Sequence, residues 1–154
     1  GENNLANKML SEAIKSEYPL YWALENKYIN LKNSNLLKGI NLVTSISKKY
    51  PDQPAYKMVL FKLHWTNEDK EKAYRYLINL LDLHKDDLSK ISFARMFFLM
   101  DDTENGYRWL ENALENRDSS IPFCATDQQL EKYQKQKRFI EIYKSIGHPL
   151  YIDK

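Results

Sequence analysis

Residues 73–80 read Ala-Tyr-Arg-Tyr-Leu-Ile-Asn-Leu, and their spacing decides the fold class. Ala73, Leu77 and Leu80 stand at offsets of four and three, which places all three side chains on one face of an α-helix. The same order, a small residue followed by two apolar or small residues, recurs along the chain. The other copies are Ala6-Leu10-Ala13, Gly39-Val43-Ile46 and Gly106-Leu110-Ala113.

The period of these triplets predicts a helical repeat. Successive copies begin 33 or 34 residues apart, which is the unit length of solenoids built from paired helices. Each small residue lets a neighbouring helix approach closely, and Tyr21, Leu24 and Tyr28 show the spacing of a partner helix. The expected helices span about residues 3–16, 19–32, 35–49, 54–66, 69–84, 88–101 and 103–117.

The period ends after residue 117, and the remaining sequence has the pattern of a cap. Phe139, Tyr143 and Ile146 form one amphipathic stripe, and Gly147 is typical of a helix C-terminus. Because a solenoid exposes the apolar side of its last repeat, we expect residues 118–154 to form a loop and C-terminal capping helices that fold back. The length of 154 residues predicts a single domain over residues 1–154, with repeats at 3–117.

The triplets and their period resemble the second helices of tetratricopeptide repeats (TPR) over residues 3–117. Residues 107–118 and 137–149 resemble the last repeat and the closing segment of such arrays in bacterial signalling proteins, including winged-helix regulators of the CadC/ToxR type. The resemblance implies an all-α, TPR-like right-handed superhelix of antiparallel helix pairs. It further implies the regulatory or sensory region of a larger signalling or transcription-regulatory protein, cytoplasmic, or periplasmic when attached to a membrane-spanning regulator.

In such a superhelix the first helix of each pair lines the concave surface, where a peptide would bind. Tryptophan and arginine are favoured at interfaces, and Lys62 and Arg95 suit acidic side chains or a C-terminal carboxylate. A protein or peptide partner is therefore expected, and the alternative for each residue is packing against neighbouring helices. The predicted peptide-binding residues are Trp22, Asn26, Ile29, Met58, Lys62, Trp65, Ile91, Arg95 and Phe98.

Motifs for chemistry are missing from the sequence. The histidines at 64, 84 and 148 show no metal-ligand spacing, and Cys124 has no adjacent base. The glycines are too scattered for a phosphate-binding loop. We therefore expect a protein that is not an enzyme, with no catalytic, cofactor or metal site.

A nucleic-acid-binding helical repeat is the alternative function. The formal net charge of +2 is small, although Lys132, Lys135, Lys137 and Arg138 form a basic run near the tail. The residues at matched inner positions do not form a one-base-per-repeat code, so nucleic acid is disfavoured as a partner. A salt titration of single-stranded RNA binding separates the two functions. No apolar run reaches the roughly 18 residues of a membrane helix, so no membrane insertion is expected.

Overall fold

The computed structural model of the protein describes residues 8, 12–13, 15, 20–28 and 34–152. Within these residues all regular secondary structure is helical and no strand occurs, which confirms the all-α prediction. The predicted helix at 3–16 falls largely outside the described residues, as does the triplet Ala6-Leu10-Ala13 apart from Ala13. The chain divides into two compact units, residues 1–84 and residues 85–154. The single domain and the right-handed superhelix stay predictions.

The N-terminal unit, residues 1–84, packs its helices around a central one. The central helix is buried along most of its length and contacts the other three described helices of the unit. Both triplets predicted here, Gly39-Val43-Ile46 and Ala73-Leu77-Leu80, are buried. The helices are α1 (Tyr21–Tyr28), α2 (Ser34–Lys49), the central α3 (Pro54–Thr66) and α4 (Lys70–His84).

The C-terminal unit, residues 85–154, confirms helices in the predicted capping segment. Leu110 and Ala113 of the last triplet share one core with Phe139 and Tyr143, so the tail covers the last repeat of this unit. Ile142 enters that core, whereas Ile146 is exposed. The helices are α5 (Lys90–Leu99), α6 (Thr103–Glu115), α7 (Ile121–Cys124), a 3₁₀ turn (Gln128–Leu130), α8 (Glu131–Gln134) and α9 (Lys137–Ser145).

In the described residues, each unit contains a helical hairpin with the same kind of turn. Residues 67–69 join α3 to α4, and residues 100–102 join α5 to α6. The middle residue of each turn is left-handed, with φ of 59° at Glu68 and 61° at Asp101. The aspartate that follows caps the next helix: Lys72 N donates to Asp69, and Asn105 N donates to Asp102. The sequence period therefore corresponds to a repeated α-helical hairpin.

Gly106 lies where α6 crosses Phe98 of α5, as predicted for the small residue of a triplet. A Cβ atom at this position would stand 2.6 Å from Phe98 Cδ1, and the Phe98 ring is held in the core. We expect Gly106→Ala to lower the free energy of unfolding, because overpacking of about 1–3 kcal/mol exceeds the roughly 0.5–1 kcal/mol gained from alanine in a helix. Urea denaturation checks this, and adding Phe98→Leu should recover part of the loss. An alanine variant as stable as the parent would contradict the close contact.

Candidate interaction surface

The predicted concave residues of the N-terminal unit are largely occupied by the fold itself. Met58 is buried, so its assignment to a peptide groove is wrong. Lys62 is also buried, and its Nζ lies 2.5 Å from Oε1 of Glu25 on α1. Ile29 and the side chain of Trp22 fall outside the described part of the chain.

The other two predicted residues of this unit reach the surface. Asn26 is exposed on α1, and Trp65 is half-buried near the end of α3. Lys70 Nζ stands 3.6 Å from the centroid of the Trp65 ring and donates to the Trp65 carbonyl at 2.9 Å. This cation–π contact joins the end of α3 to the start of α4. A role of Asn26 and Trp65 in peptide binding stays a prediction.

The three predicted residues of the C-terminal unit are Ile91, Arg95 and Phe98. Ile91 and Phe98 belong to the hydrophobic core of the unit, so the prediction that they contact a peptide is wrong. They share a face of α5 that packs inward, whereas the prediction assumed a free concave face. Arg95 Nε lies 2.7 Å from Oδ2 of Asp127, and this ion pair is largely shielded from solvent. Arg95 and Lys62 thus both have carboxylate partners within their own unit.

Three of the four cations in the basic run of the tail lie against carboxylates as well. Lys132 pairs with Asp101, and Lys137 lies 3.7 Å from Glu141. Arg138 makes two hydrogen bonds to Glu111, from Nε at 2.8 Å and from Nη2 at 3.0 Å. These cations are partly neutralised by the protein's own carboxylates, which weakens the electrostatic footprint that nucleic acid requires.

Cys124, whose thiol is a possible nucleophile, lies in the hydrophobic core of the C-terminal unit. The side chain is fully buried, and burial raises the pKa of the thiol to about 11. At neutral pH the thiol is therefore protonated and a weak nucleophile. It packs in the core of the C-terminal unit with Ile121 and Tyr143, whose hydroxyl donates to the Ile121 carbonyl at 2.8 Å. The group fills space as a small apolar residue.

His64 is buried at the junction of α3 and α4. Its ring stacks on Tyr76 with centroids 5.6 Å apart. Nδ1 lies 3.4 Å from Asp69 Oδ2 without hydrogen-bond geometry, and Asp69 also pairs with Lys72 at 2.8 Å. Burial is the largest influence and lowers the pKa of His64 below its usual 6.5; Asp69 opposes this shift and Lys72 adds to it.

This lowered pKa predicts how stability depends on pH. Because the unfolded chain binds a proton at His64 near pH 6.5 and the folded chain does so only at lower pH, acidification favours unfolding. The contribution of His64 is fully present above pH 6.5 and is lost as the pH falls below that value. We expect His64→Gln to flatten the decline of the unfolding free energy between about pH 7 and pH 5. Urea denaturation across that range measures it, and equal slopes for the two proteins would contradict the buried neutral histidine.

A stripe of exposed side chains runs along α4 on the side that faces away from its buried residues Ala73, Leu77 and Leu80. Tyr74 is 51% exposed and Ile78, one turn further, is 40% exposed. Glu71 and Arg75 pair with each other on the same stripe, where an exposed ion pair adds little stability. Tyrosine, isoleucine and alternating charges on one helix face are typical of a protein contact. The stripe consists of Glu71, Tyr74, Arg75, Ile78 and Asp82.

The corresponding face of α6 is covered. Residues 104–117 repeat residues 71–84 at an offset of 33, with Glu71, Tyr74 and Arg75 matched by Glu104, Tyr107 and Arg108. Tyr107 is nevertheless only 2% exposed. The core triplets alone do not indicate this difference. The informative positions follow the first two residues of each triplet, where α4 carries Tyr74 and Ile78 and α6 carries Tyr107 and Glu111.

Arg138 of α9 provides the cover over α6. Its guanidinium carbon stands 4.7 Å above the Tyr107 ring, and Nη1 donates to Glu104 at 2.9 Å. The bidentate contact with Glu111 completes the arrangement, and Tyr107 Oη donates to Gln136 at 3.0 Å. One arginine therefore satisfies two carboxylates and an aromatic face at once.

The described surface of the C-terminal unit also contains a polar depression. A shallow depression of about 430 Å³ in the C-terminal unit is lined by polar side chains such as Gln128, Glu131 and Lys135. Over the described ranges, no three histidine, cysteine, aspartate or glutamate side chains form a metal-ligand group. Within those same ranges no helix is both long and apolar enough to cross a membrane.

Comparisons with known proteins add no assignment to this geometry. Neither a family model, a curated protein nor a solved structure matches the chain at a significant level.

Proposed function

We propose that the chain is a non-enzymatic protein-interaction module and that its contact surface is the α4 stripe. The observation that carries the proposal is the contrast between Tyr107, which lies in the core with Arg138 above its ring, and Tyr74 at the matched position of α4, which is half exposed. A tyrosine and an isoleucine one turn apart supply the rigid apolar area that interface centres use. The flanking charges on Glu71, Arg75 and Asp82 supply the polar rim.

The pairing of the cations favours a protein partner over nucleic acid. Lys62, Arg95, Lys132 and Arg138 all lie against carboxylates of their own unit. A nucleic-acid-binding repeat needs such cations free to face phosphates. The role of this module in a larger bacterial signalling or transcription-regulatory protein stays a proposal that rests on the sequence resemblance alone.

Site-specific photo-crosslinking tests the proposed surface. A benzoylphenylalanine at position 78 should give a discrete adduct in extract of the native cells, and an excess of unmodified protein should suppress that adduct. Position 83 is the matched control, because Leu83 is 62% exposed and lies about 140° around the same helix from position 78. Equal adducts from both positions, or adducts that the unmodified protein does not suppress, would show that the stripe is no interaction surface.

A further inference from the structure

In the C-terminal unit, a residue of α9 covers the face of α6 that corresponds to the exposed face of α4. There the first turn of α9 places Arg138 between Glu104 and Glu111, above the ring of Tyr107. The next residue, Phe139, enters the core and stacks on Tyr143 with centroids 4.5 Å apart. The segment that covers α6 therefore combines an arginine with a neighbouring apolar helix face.

The α4 stripe retains two of the three groups that Arg138 contacts on α6. Glu71 and Tyr74 match Glu104 and Tyr107 at the offset of 33 residues. Ile78 stands where α6 has Glu111, so the second carboxylate is replaced by an apolar side chain. The surface keeps one carboxylate and the aromatic ring for a guanidinium, and it gains a contact for an aliphatic or aromatic side chain one turn further along.

We propose, building on the proposed function, that the partner of the α4 stripe is an amphipathic helix with an arginine on its apolar margin. The arginine lies over the Tyr74 ring and pairs with Glu71, and an apolar side chain of the same helix packs on Ile78. Arg75 contacts Glu71 at 2.5 Å in the absence of the partner. Because both side chains of that pair are about three-quarters exposed, the partner's guanidinium can share or replace the contact at little cost.

The probe is a peptide of the chain's own residues 136–148, which carries the Arg138 pattern. A lactam between Lys137 and Glu141 holds it helical, and both side chains are largely exposed in the protein. Fluorescence anisotropy measures its binding to the full chain. We expect saturable binding with a Kd on the order of 10 µM to 1 mM, as befits one helix on a small surface.

Variants on both sides of the contact test the assigned chemistry. Glu71→Gln should weaken binding about two- to fivefold, and Tyr74→Ala about tenfold, whereas Leu83→Ala should leave it unchanged. Arg138→Gln in the peptide should weaken binding to the parent protein and have no further effect on the Glu71→Gln variant. That coupling is the signature of a direct pair, since a merely structural change in α4 would not produce it.

Each other outcome contradicts a defined part of the proposal. Loss of binding in Glu111→Gln but not in Glu71→Gln would mean that the peptide exchanges with α9, which overturns the assignment to α4. Self-association of the chain that Tyr74→Ala abolishes would make a second copy the occupant and would likewise overturn it. Absence of peptide binding together with a position-78 crosslink would refute the arginine-bearing helix and leave the proposed function standing. Failure of both experiments would refute both.

Discussion

Deletion of residues 136–154 is expected to unfold the C-terminal unit. The deletion removes Phe139, Ile142, Tyr143 and Tyr151 from the core that holds Leu110. Full burial of each such side chain is worth roughly 1.5–3 kcal/mol, and four of them together approach the total stability of a typical domain, about 5–15 kcal/mol. The loss of Arg138 also leaves Glu104 and Glu111 without their cation.

Size-exclusion chromatography with light scattering and thermal melting checks this expectation. The truncated chain should lose the cooperative transition of the C-terminal unit, or should self-associate through the exposed apolar face. Removal of residues 152–154 alone is the control, because Ile152 is exposed and contributes no core contact in the described residues. A truncated chain that stays monomeric and melts at the parent temperature would show that the tail is no cap.

Replacement of Phe98 by alanine is expected to cost about 3–5 kcal/mol of unfolding free energy. The ring joins α5 to both neighbouring segments: it meets Tyr107 edge-on at 5.2 Å and Tyr133 at 4.3 Å between centroids. Tyr133 also donates a hydrogen bond to the Phe98 carbonyl at 2.8 Å, so the cavity would open beside a buried polar contact. Such a site collapses poorly, which places the cost at the upper part of the usual range for core deletions.

The same change at Phe123 provides the matched control. Phe123 is 69% exposed on α7, so its replacement by alanine should change the unfolding free energy by less than about 0.5 kcal/mol. Urea denaturation followed by circular dichroism compares the two variants. A similar loss of unfolding free energy at both positions would contradict the assignment of Phe98 to the core and would favour its prediction as a surface residue.

The helices were predictable because the repeat imposes its spacing on the apolar residues. Ala73, Leu77 and Leu80 predict α4, and the equivalent triplet predicts α6. The predicted end of α6 lies within about two residues of the observed end. The hairpin turns gave no comparable signal. Their left-handed residues are Glu68 and Asp101, whereas glycine is the usual marker of that conformation. The capping aspartates that follow each turn are the local feature that identifies them in retrospect.

The candidate site was much less predictable, because it depends on what covers each helix face. Spacing alone placed Ile91 and Phe98 on a concave surface, but the tail segment packs against that side of α5 and buries them. In the sequence Arg138 is one residue of the basic run near the tail, and its three hydrogen bonds to Glu104 and Glu111 bridge a sequence separation that periodicity does not reveal. Tyr74 and Tyr107 stand at matched positions of similar sequence, but Tyr74 is half exposed and Tyr107 is buried, because only Tyr107 is covered by other segments.

Hydroxyl-radical footprinting of α4 tests the central claim most directly, because it reports which side of the helix another protein covers. The oxidation rates of Tyr74 and Ile78 are compared between dilute purified protein and the same protein in extract of its native cells, with Leu83, on a different side of the helix, as the internal control. We predict that oxidation of Tyr74 and Ile78 slows in the extract while oxidation of Leu83 keeps its relative rate. Equal rates under both conditions, or equal protection of all three residues, would contradict an interaction surface on the α4 stripe.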